Sequence, residues 1–399
     1  YRIMTMAVGV RQLQRGGFRG ALRRADVSRR QWLSSGPEST GLVNLDFAAL
    51  SRGDDLSDAV ARAYSYDGLG ILTVSNIPGL EERRAALLPL AKRFAELPET
   101  TKAKYEHPES FYSFGWSHGK EKLQGKPDLA KGSFYANPQY DRPVDDEALI
   151  QQFTPFIHPN IWPTEDVPEL EGAFKRMGEL VVEVGALVAL QCDAFVRKEI
   201  PSYPEHKLHK IIKSSLCCKA RLLHYFATED DGAAKAEPED KELLFSSWCG
   251  WHNDHGSLTG LVPAMYLDAE GNEVPNPDPE SGLYIRNRSG GLVKASMPPN
   301  VLGFQIGETA QIHSGGLLQA TPHAVRGAAA PGFTRETFAV FMEPNWDGDM
   351  DVPAGRSAEE AQTQAAAASL PTGVPPLGKR WETGMDFGQF TDKTLKEYY

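Results

Sequence analysis

One short stretch of the chain is dense in groups that bind metals. In WHNDHG, residues 251–256, His252, Asp254 and His255 fall within four positions, and Cys249 lies just upstream. What they can do together depends on local conformation. Along a strand side chains alternate, so His252 and Asp254 share a face while Asn253 and His255 point away. On a helix His252 and His255 would meet instead. Gly250 and Gly256 flank the stretch and SLTGLV follows it, which favours extended chain. A Cys249-x-x-His252 zinc pair is a third reading, but no second Cys/His pair follows at a suitable spacing.

Two ligands hold a metal weakly, and a third can come from far along the chain. The downstream histidines are His313 and His323. His313 precedes Ser314-Gly315-Gly316, a predicted hairpin turn. His323 opens HAVRG, where a strand should start, so its side chain is aimed more rigidly. Two histidines and a carboxylate form a facial triad with three open positions, which suits non-haem Fe(II) and oxygen chemistry. Twelve residues past His323, Arg335 and Thr337 occupy one face of the predicted strand RETFAVF. A guanidinium beside a hydroxyl holds a carboxylate by a bidentate pair and one hydrogen bond, so a dicarboxylate co-substrate is expected.

These residues need a rigid frame. From residue 216 short β-rich runs follow one another: ARLLHYFA, SLTGLVPAMYLD, GLYIRN, VLGFQIG, HAVRG and ETFAVFMEP, with turn residues at 287–291 and 314–316. Many short strands in succession predict a sandwich or barrel. Upstream, strands are predicted at 41–47 and 70–77, and helices at 58–66 and 80–96, the latter interrupted at Pro89. Residues 168–199 carry Leu170, Phe174, Met177 and Val181 at helical spacing, a core helix. Residues 111–143 are aromatic and punctuated by Gly and Pro, and read as loops with local packing. Tyr112, Trp116, Phe134 and Tyr135 within them suit a pocket and a core equally. Cys217 and Cys218 read as a buried strand pair. The acidic segment 227–242 reads as a solvated insertion. After Asp351 the chain is low in complexity until 380–399, whose aromatics predict a docking helix.

Composition narrows the function classes. The chain has 399 residues, 41% hydrophobic and 24% charged, ample for a large core. No apolar run reaches the roughly 20 residues a membrane span needs. Four cysteines, two of them adjacent, show no disulfide ladder, so a reducing compartment is expected. Net charge is −11, but residues 1–37 hold eight arginines against Asp26 alone, +7, which leaves −18 for the rest. An acidic body argues against nucleic acid as partner. The Arg-rich start reads as a transit peptide for mitochondrion or plastid, or as a disordered basic tail of a cytoplasmic protein.

WHNDHGSLTGL, GLYIRN, QIGETAQIHSGGLLQATPHAVRG and RETFAVFMEPN together resemble the core of the 2-oxoglutarate- and Fe(II)-dependent dioxygenases, in their isopenicillin-N-synthase-like branch. Residues 41–137, with SHGKE and SFYANP, resemble that branch's N-terminal region, so the likeness spans most of 41–345. The resemblance implies a mainly β fold with flanking helices around a double-stranded β-helix, or jelly roll. It divides the chain into a transit peptide or tail (1–40), an N-terminal region with helices (41–200), the jelly-roll core (201–346) and a linker with a C-terminal tail (347–399). It implies His252, Asp254 and His323 as iron ligands, Arg335 and Thr337 as the holders of the distal 2-oxoglutarate carboxylate, and Tyr225 as a hydrogen-bonding partner of co-substrate or substrate. No catalytic residue beyond the metal site is implied.

The implied cofactor set is Fe(II), 2-oxoglutarate and molecular oxygen. The implied reaction is oxidation of a small organic molecule by a monomer, with succinate and carbon dioxide as co-products and no nucleic-acid or membrane partner. Hydroxylation is the default outcome; desaturation, demethylation and ring closure use the same chemistry. A carboxylate at Asp254, where halogenating relatives have a small residue, favours oxygen transfer. The rivals are an oxidase of the same fold that does not use 2-oxoglutarate, a metal-dependent hydrolase, and a non-catalytic ligand-binding member. Arg335 and Thr337 weigh against the first two, and the full ligand set against the third.

Overall fold

The computed structural model describes residues 41–120, 122–123, 126–227, 248–328, 331–363, 370–371 and 373–398. The basic stretch 1–40 and most of the acidic insertion lie outside the described residues.

Two sheets carry the chain. The strands of the larger are β1 (Val43–Asp46), β2 (Ile71–Ser75), β3 (Gly115–His118), β4 (Lys131–Ala136), β5 (Lys219–Tyr225), β7 (Leu258–Leu267), β10 (Val301–Ile306) and β12 (Thr334–Met342). Their order is β1-β2-β10-β7-β12-β5-β4-β3, with a two-residue strand, Glu273–Val274, added on β7. Only β1 and β2 run parallel. The smaller sheet has the order β9-β8-β11-β6, built from β6 (Cys249–His252), β8 (Gly282–Arg286), β9 (Leu292–Ala295) and β11 (His323–Arg326). Ile71, Leu283, Ile285 and Ala295 pack together, with Leu261 and Val325 against them, and so join the faces of the two sheets. The architecture is mainly β with flanking helices, as the strand-rich sequence led one to expect.

Helices cover the outer face of the larger sheet. Helix α1 (Phe47–Arg52) starts at once after β1 because the Asp46 carboxylate accepts from Ala49 N–H, and Gly53 ends it in the left-handed region at φ 75°. α2 is Ser57–Tyr64. The predicted 80–96 helix is two helices, α3 (Leu80–Leu87) and α4 (Pro89–Ala95), divided where Pro89 has no N–H to donate. The long α5 (Glu169–Glu199) has acids in its first turn and bases in its last, which complement its dipole. Its Phe174 meets Phe338 of β12 edge-on at 4.9 Å. α6 (Lys207–Ser214) packs beside it. Among the described residues no helix is long and apolar enough to cross a membrane.

The structure corrects two local expectations. Residues 111–143 are not all loop, since β3 and β4 extend the larger sheet beyond β5. The glycine that disguised β4 has a packing cause: the Trp116 ring fills the space where a Cβ on Gly132 would sit, 2.2 Å from its nearest atom. Trp116 and Phe134 are core residues packed on Phe94 at 5.1 and 5.2 Å, whereas Tyr135 faces the other way, under the Arg221 guanidinium. Nor is 314–316 a hairpin turn. It closes a short helix, α7 (Glu308–His313), which delivers His313 into a fully buried position with its Nε2 2.7 Å from the Asp349 carbonyl oxygen.

Downstream, α8 (Ala358–Gln362) opens on a capping box made by Ser357 and Glu360. α9 (Leu377–Arg380) and α10 (Phe387–Tyr398) follow. Trp381, Met385, Phe387 and Phe390 bury themselves against Ile312 of α7 and Met350, so the terminal segment docks as its aromatics predict.

Candidate metal centre and co-substrate pocket

β6 pairs antiparallel with β11, and His252 and His323 are direct register partners. A cross-strand pairing thus makes neighbours of residues 71 positions apart, and their rings lie 4.2 Å apart. Asp254 follows just past the end of β6. Its Oδ1 is 3.7 Å from the Nε2 of each histidine. One ligand atom from each of the three lies within 4.8 Å of the others. The stretch after His252 is irregular rather than helical, and alternation carries one pair past the strand's end. His255 turns away and stacks on Phe387, nearly parallel at 5.5 Å. Asn253 also turns away, and its amide donates to Glu308 Oε1. Cys249 Sγ lies 3.8 Å from His252 Nδ1, the nitrogen on the far side from Asp254. His313 is not in the cluster.

Each histidine has a partner for the ring nitrogen that faces away from Asp254. His252 Nδ1 is 2.8 Å from the Gly250 carbonyl oxygen, so in the neutral ring Nδ1 carries the proton and Nε2 offers its lone pair to a metal. His323 Nδ1 is 2.5 Å from the Gln305 amide and 3.3 Å from the Thr321 carbonyl oxygen. Gln305 is buried on β10, and its Oε1 has no partner among the described residues. Turning the amide over puts that oxygen on His323 Nδ1–H and leaves Nε2 of His323 free to ligate. Burial, with the charge on His252 adding to it, pushes His323 down to about 4. Burial also disfavours charge on His252 and on the Cys249 thiol. Their mutual attraction prevails, raising His252 to about 9 and lowering Cys249 to about 7.

Beside this cluster, β5 and β12 pair so that Tyr225 and Arg335 are direct partners. The Arg335 guanidinium lies over the Tyr225 ring at 4.8 Å and 5.5 Å from that of Trp248. It is buried, yet its Nε and Nη1 have no hydrogen-bond partner among the described residues. A desolvated cation without a counter-charge is costly, so this pocket is built for an anion. Thr337 shares the face by alternation, at a point where the pairing of β12 with β7 slips by one residue. Burial raises the Tyr225 phenol, with the Arg335 charge opposing the rise. Further along the same face Ser117, Asp128, Lys131, Ser133 and Arg221 line a small polar cavity. There Lys131 pairs with Asp128 at 2.5 Å and Arg221 Nε donates to Ser133 Oγ at 2.9 Å.

Residues 42–165 match the family described as the N-terminal region of non-haem dioxygenases in morphine synthesis. Solved structures share the fold over most of the chain. A 2OG-Fe(II) oxygenase family protein from Caulobacter crescentus has a TM-score of 0.62 at 19% identity, covering 90% of this chain and 100% of its own. A full-length Neurospora crassa protein in complex with alpha-KG has a TM-score of 0.62 at 18% identity, covering 91% and 98%. AtDAO1 of Arabidopsis thaliana, a dioxygenase for auxin oxidation, has 0.52 at 16%, covering 80% and 99%. No curated protein matches the chain in sequence. The chain thus resembles the non-haem dioxygenases in its N-terminal region and shares its fold with these solved structures. The match over 42–165 and the shared fold agree with the resemblance of the sequence, and the donor set, two imidazoles and a carboxylate, suits Fe(II).

Sequence reasoning missed two parts of this candidate site. Trp248 carries no local signal. Gln305 does carry one: it is the lone polar residue of the otherwise apolar strand VLGFQI, and a buried amide needs a partner.

Proposed function

We propose that the chain is an Fe(II)- and 2-oxoglutarate-dependent dioxygenase that oxidises a small organic molecule, by hydroxylation in the first instance, with succinate and carbon dioxide as co-products. The observation that carries this reading is Arg335, a buried guanidinium with unpartnered donors, packed on Trp248 directly before the strand that carries His252. An oxidase that does without 2-oxoglutarate has less need of that charge.

Fe(II) and 2-oxoglutarate, when bound, supply the oxidising power by activating oxygen as the co-substrate loses carbon dioxide. The chain's residues do the rest. His252, Asp254 and His323 would hold the metal. The histidines' partners at Gly250 and Gln305 hold the ring proton on Nδ1 once each imidazole is neutral, and so aim Nε2 at a metal. Arg335 and Thr337 take the distal carboxylate by a fork and a hydroxyl. Tyr225 adds its phenol, and the Tyr225 and Trp248 rings keep water from the guanidinium. The polar wall of Lys131, Ser133 and Arg221 suits a substrate with hydrogen-bond acceptors. Fold likeness and the two facing sheets support a double-stranded β-helix, with 201–346 as its core and 41–200 as the N-terminal region.

The test is anaerobic reconstitution with Fe(II), followed by oxygen and measurement of succinate from 2-oxoglutarate. Wild type is expected to form succinate, slowly without substrate, and His252→Ala to form none. Turnover that survives His252→Ala overturns the reading. Oxygen uptake independent of 2-oxoglutarate points to the oxidase, and 2-oxoglutarate binding without succinate points to a binding protein.

A further inference from the structure

The alternation that turns His252 and Asp254 to the metal side turns Asn253 and His255 to the other, and both meet the same partners. Asn253 Nδ2 donates to Glu308 Oε1 at 2.9 Å. His255 stacks on Phe387, nearly parallel at 5.5 Å. The backbone of this turn is held too. Glu308 N–H donates to the Asp254 carbonyl oxygen at 2.8 Å, Thr309 N–H to those of His255 and Gly256, and Thr309 Oγ1 to that of His255 at 2.5 Å. The first N–H groups of α7 have no partner within their own helix, and here the metal-bearing turn supplies the acceptors. The contact is so close that a Cβ on Gly307 would come within 2.0 Å of the Gly256 carbonyl oxygen.

α7 is in turn fixed from the C-terminal segment. Arg380 grips Glu308 with both arms, Nη1 to Oε2 at 2.7 Å and Nη2 to Oε1 at 2.6 Å, and both side chains are wholly buried. Arg380 also donates to Thr394 Oγ1 and the Pro375 carbonyl oxygen, which tie it to its own segment. A fully buried bidentate pair is a poor source of stability but a strict setter of geometry.

We propose that the C-terminal segment is a clamp for the metal centre, in which Arg380, through Glu308 and Asn253, and Phe387, through His255, are positioning residues that aim the Asp254 carboxylate. This rests on the metal reading above. Asn253 and His255 flank Asp254 and turn to the side away from the metal, so the clamp acts through the aim of that carboxylate. Second-layer partners of metal ligands commonly change affinity 10–100-fold.

The experiment is Mn(II) binding to the metal-free, full-length protein, by calorimetry and by loss of the free-ion EPR signal, well below the unfolding midpoint. Asn253→Ala leaves the buried ion pair whole and is expected to raise the Mn(II) dissociation constant about 10-fold. The Glu308→Gln/Arg380→Met double variant removes the pair without stranding a buried charge and is expected to raise it 10- to 100-fold. Values within twofold of wild type for both overturn the clamp, whatever happens to thermal stability. Should the double variant not fold, Asn253→Ala and Phe387→Leu decide. Asp254→Ala separates this from the underlying reading: if wild type and Asp254→Ala bind Mn(II) equally, it is the metal site that fails.

Discussion

Arg335 and Tyr225 face each other across β12 and β5, and the guanidinium rests 4.8 Å above the phenol ring with donors that nothing else in the described residues takes up. The ring shields the charge on one side without neutralising it. The pocket therefore waits for an anion, and Arg335 acts in opposite directions on the free and the loaded protein.

Arg335→Met should raise the 2-oxoglutarate dissociation constant about 30-fold or more, since removing one partner of a buried charge pair costs at least about 2 kcal/mol. In the absence of 2-oxoglutarate the same change should raise the unfolding midpoint, because an uncompensated buried cation is lost. Calorimetry and thermal melts with and without 2-oxoglutarate measure the two effects. A variant that loses stability in both states would show that Arg335 serves packing rather than the co-substrate.

The three ligands should share one phenotype. His252→Ala, Asp254→Ala and His323→Ala are each expected to abolish the stabilisation by Fe(II) or Mn(II). In wild type that stabilisation should reach about 4 kcal/mol at a metal concentration 1,000 times the dissociation constant, and EDTA should reverse it. His313→Ala should keep the metal-induced shift, since His313 lies outside the cluster.

Gln305 should matter as an acceptor and not as an amide. Gln305→Glu keeps an oxygen at His323 Nδ1 and should hold metal affinity near wild type. Gln305→Leu leaves Nδ1–H with Thr321 alone and should weaken metal binding 10- to 100-fold. Equal affinities in the two variants would remove Gln305 from the site.

Acid should destabilise the metal-free protein through His313. Burial, with Lys207 adding to it, pushes His313 down to about 3, against about 6.5 unfolded. Between those values the unfolded chain binds a proton that the folded chain does not, so stability rises with pH. On acidification from pH 6.5 the unfolding free energy should fall by up to about 1.4 kcal/mol per pH unit from this residue. Urea unfolding at pH 7, 6 and 5 measures the slope, which His313→Leu should flatten.

The sequence by itself determined the chemistry of the centre. A His and a carboxylate two apart on extended chain share a face by strand geometry alone, and an Arg and a Thr two apart do the same, so His252 with Asp254 and Arg335 with Thr337 were legible as pairs. The 31-residue helix and the Pro89 break are local effects of the same kind. Tertiary structure decided what the pairs are paired with. His323 rather than His313 completes the cluster because β6 and β11 lie side by side in that register, while α7 takes His313 into the core. Strands β3 and β4 were hidden because Gly132 answers to the ring of Trp116 and not to its own neighbours in sequence. Gln305 at His323, and Arg380 joined to Asn253 through Glu308, bring together residues 18 and 127 positions apart. Alternation is a property of each residue's own backbone and can be read from a short stretch. Register and docking are shared minima of the whole chain, set by which apolar faces bury one another, and only the folded structure contains them.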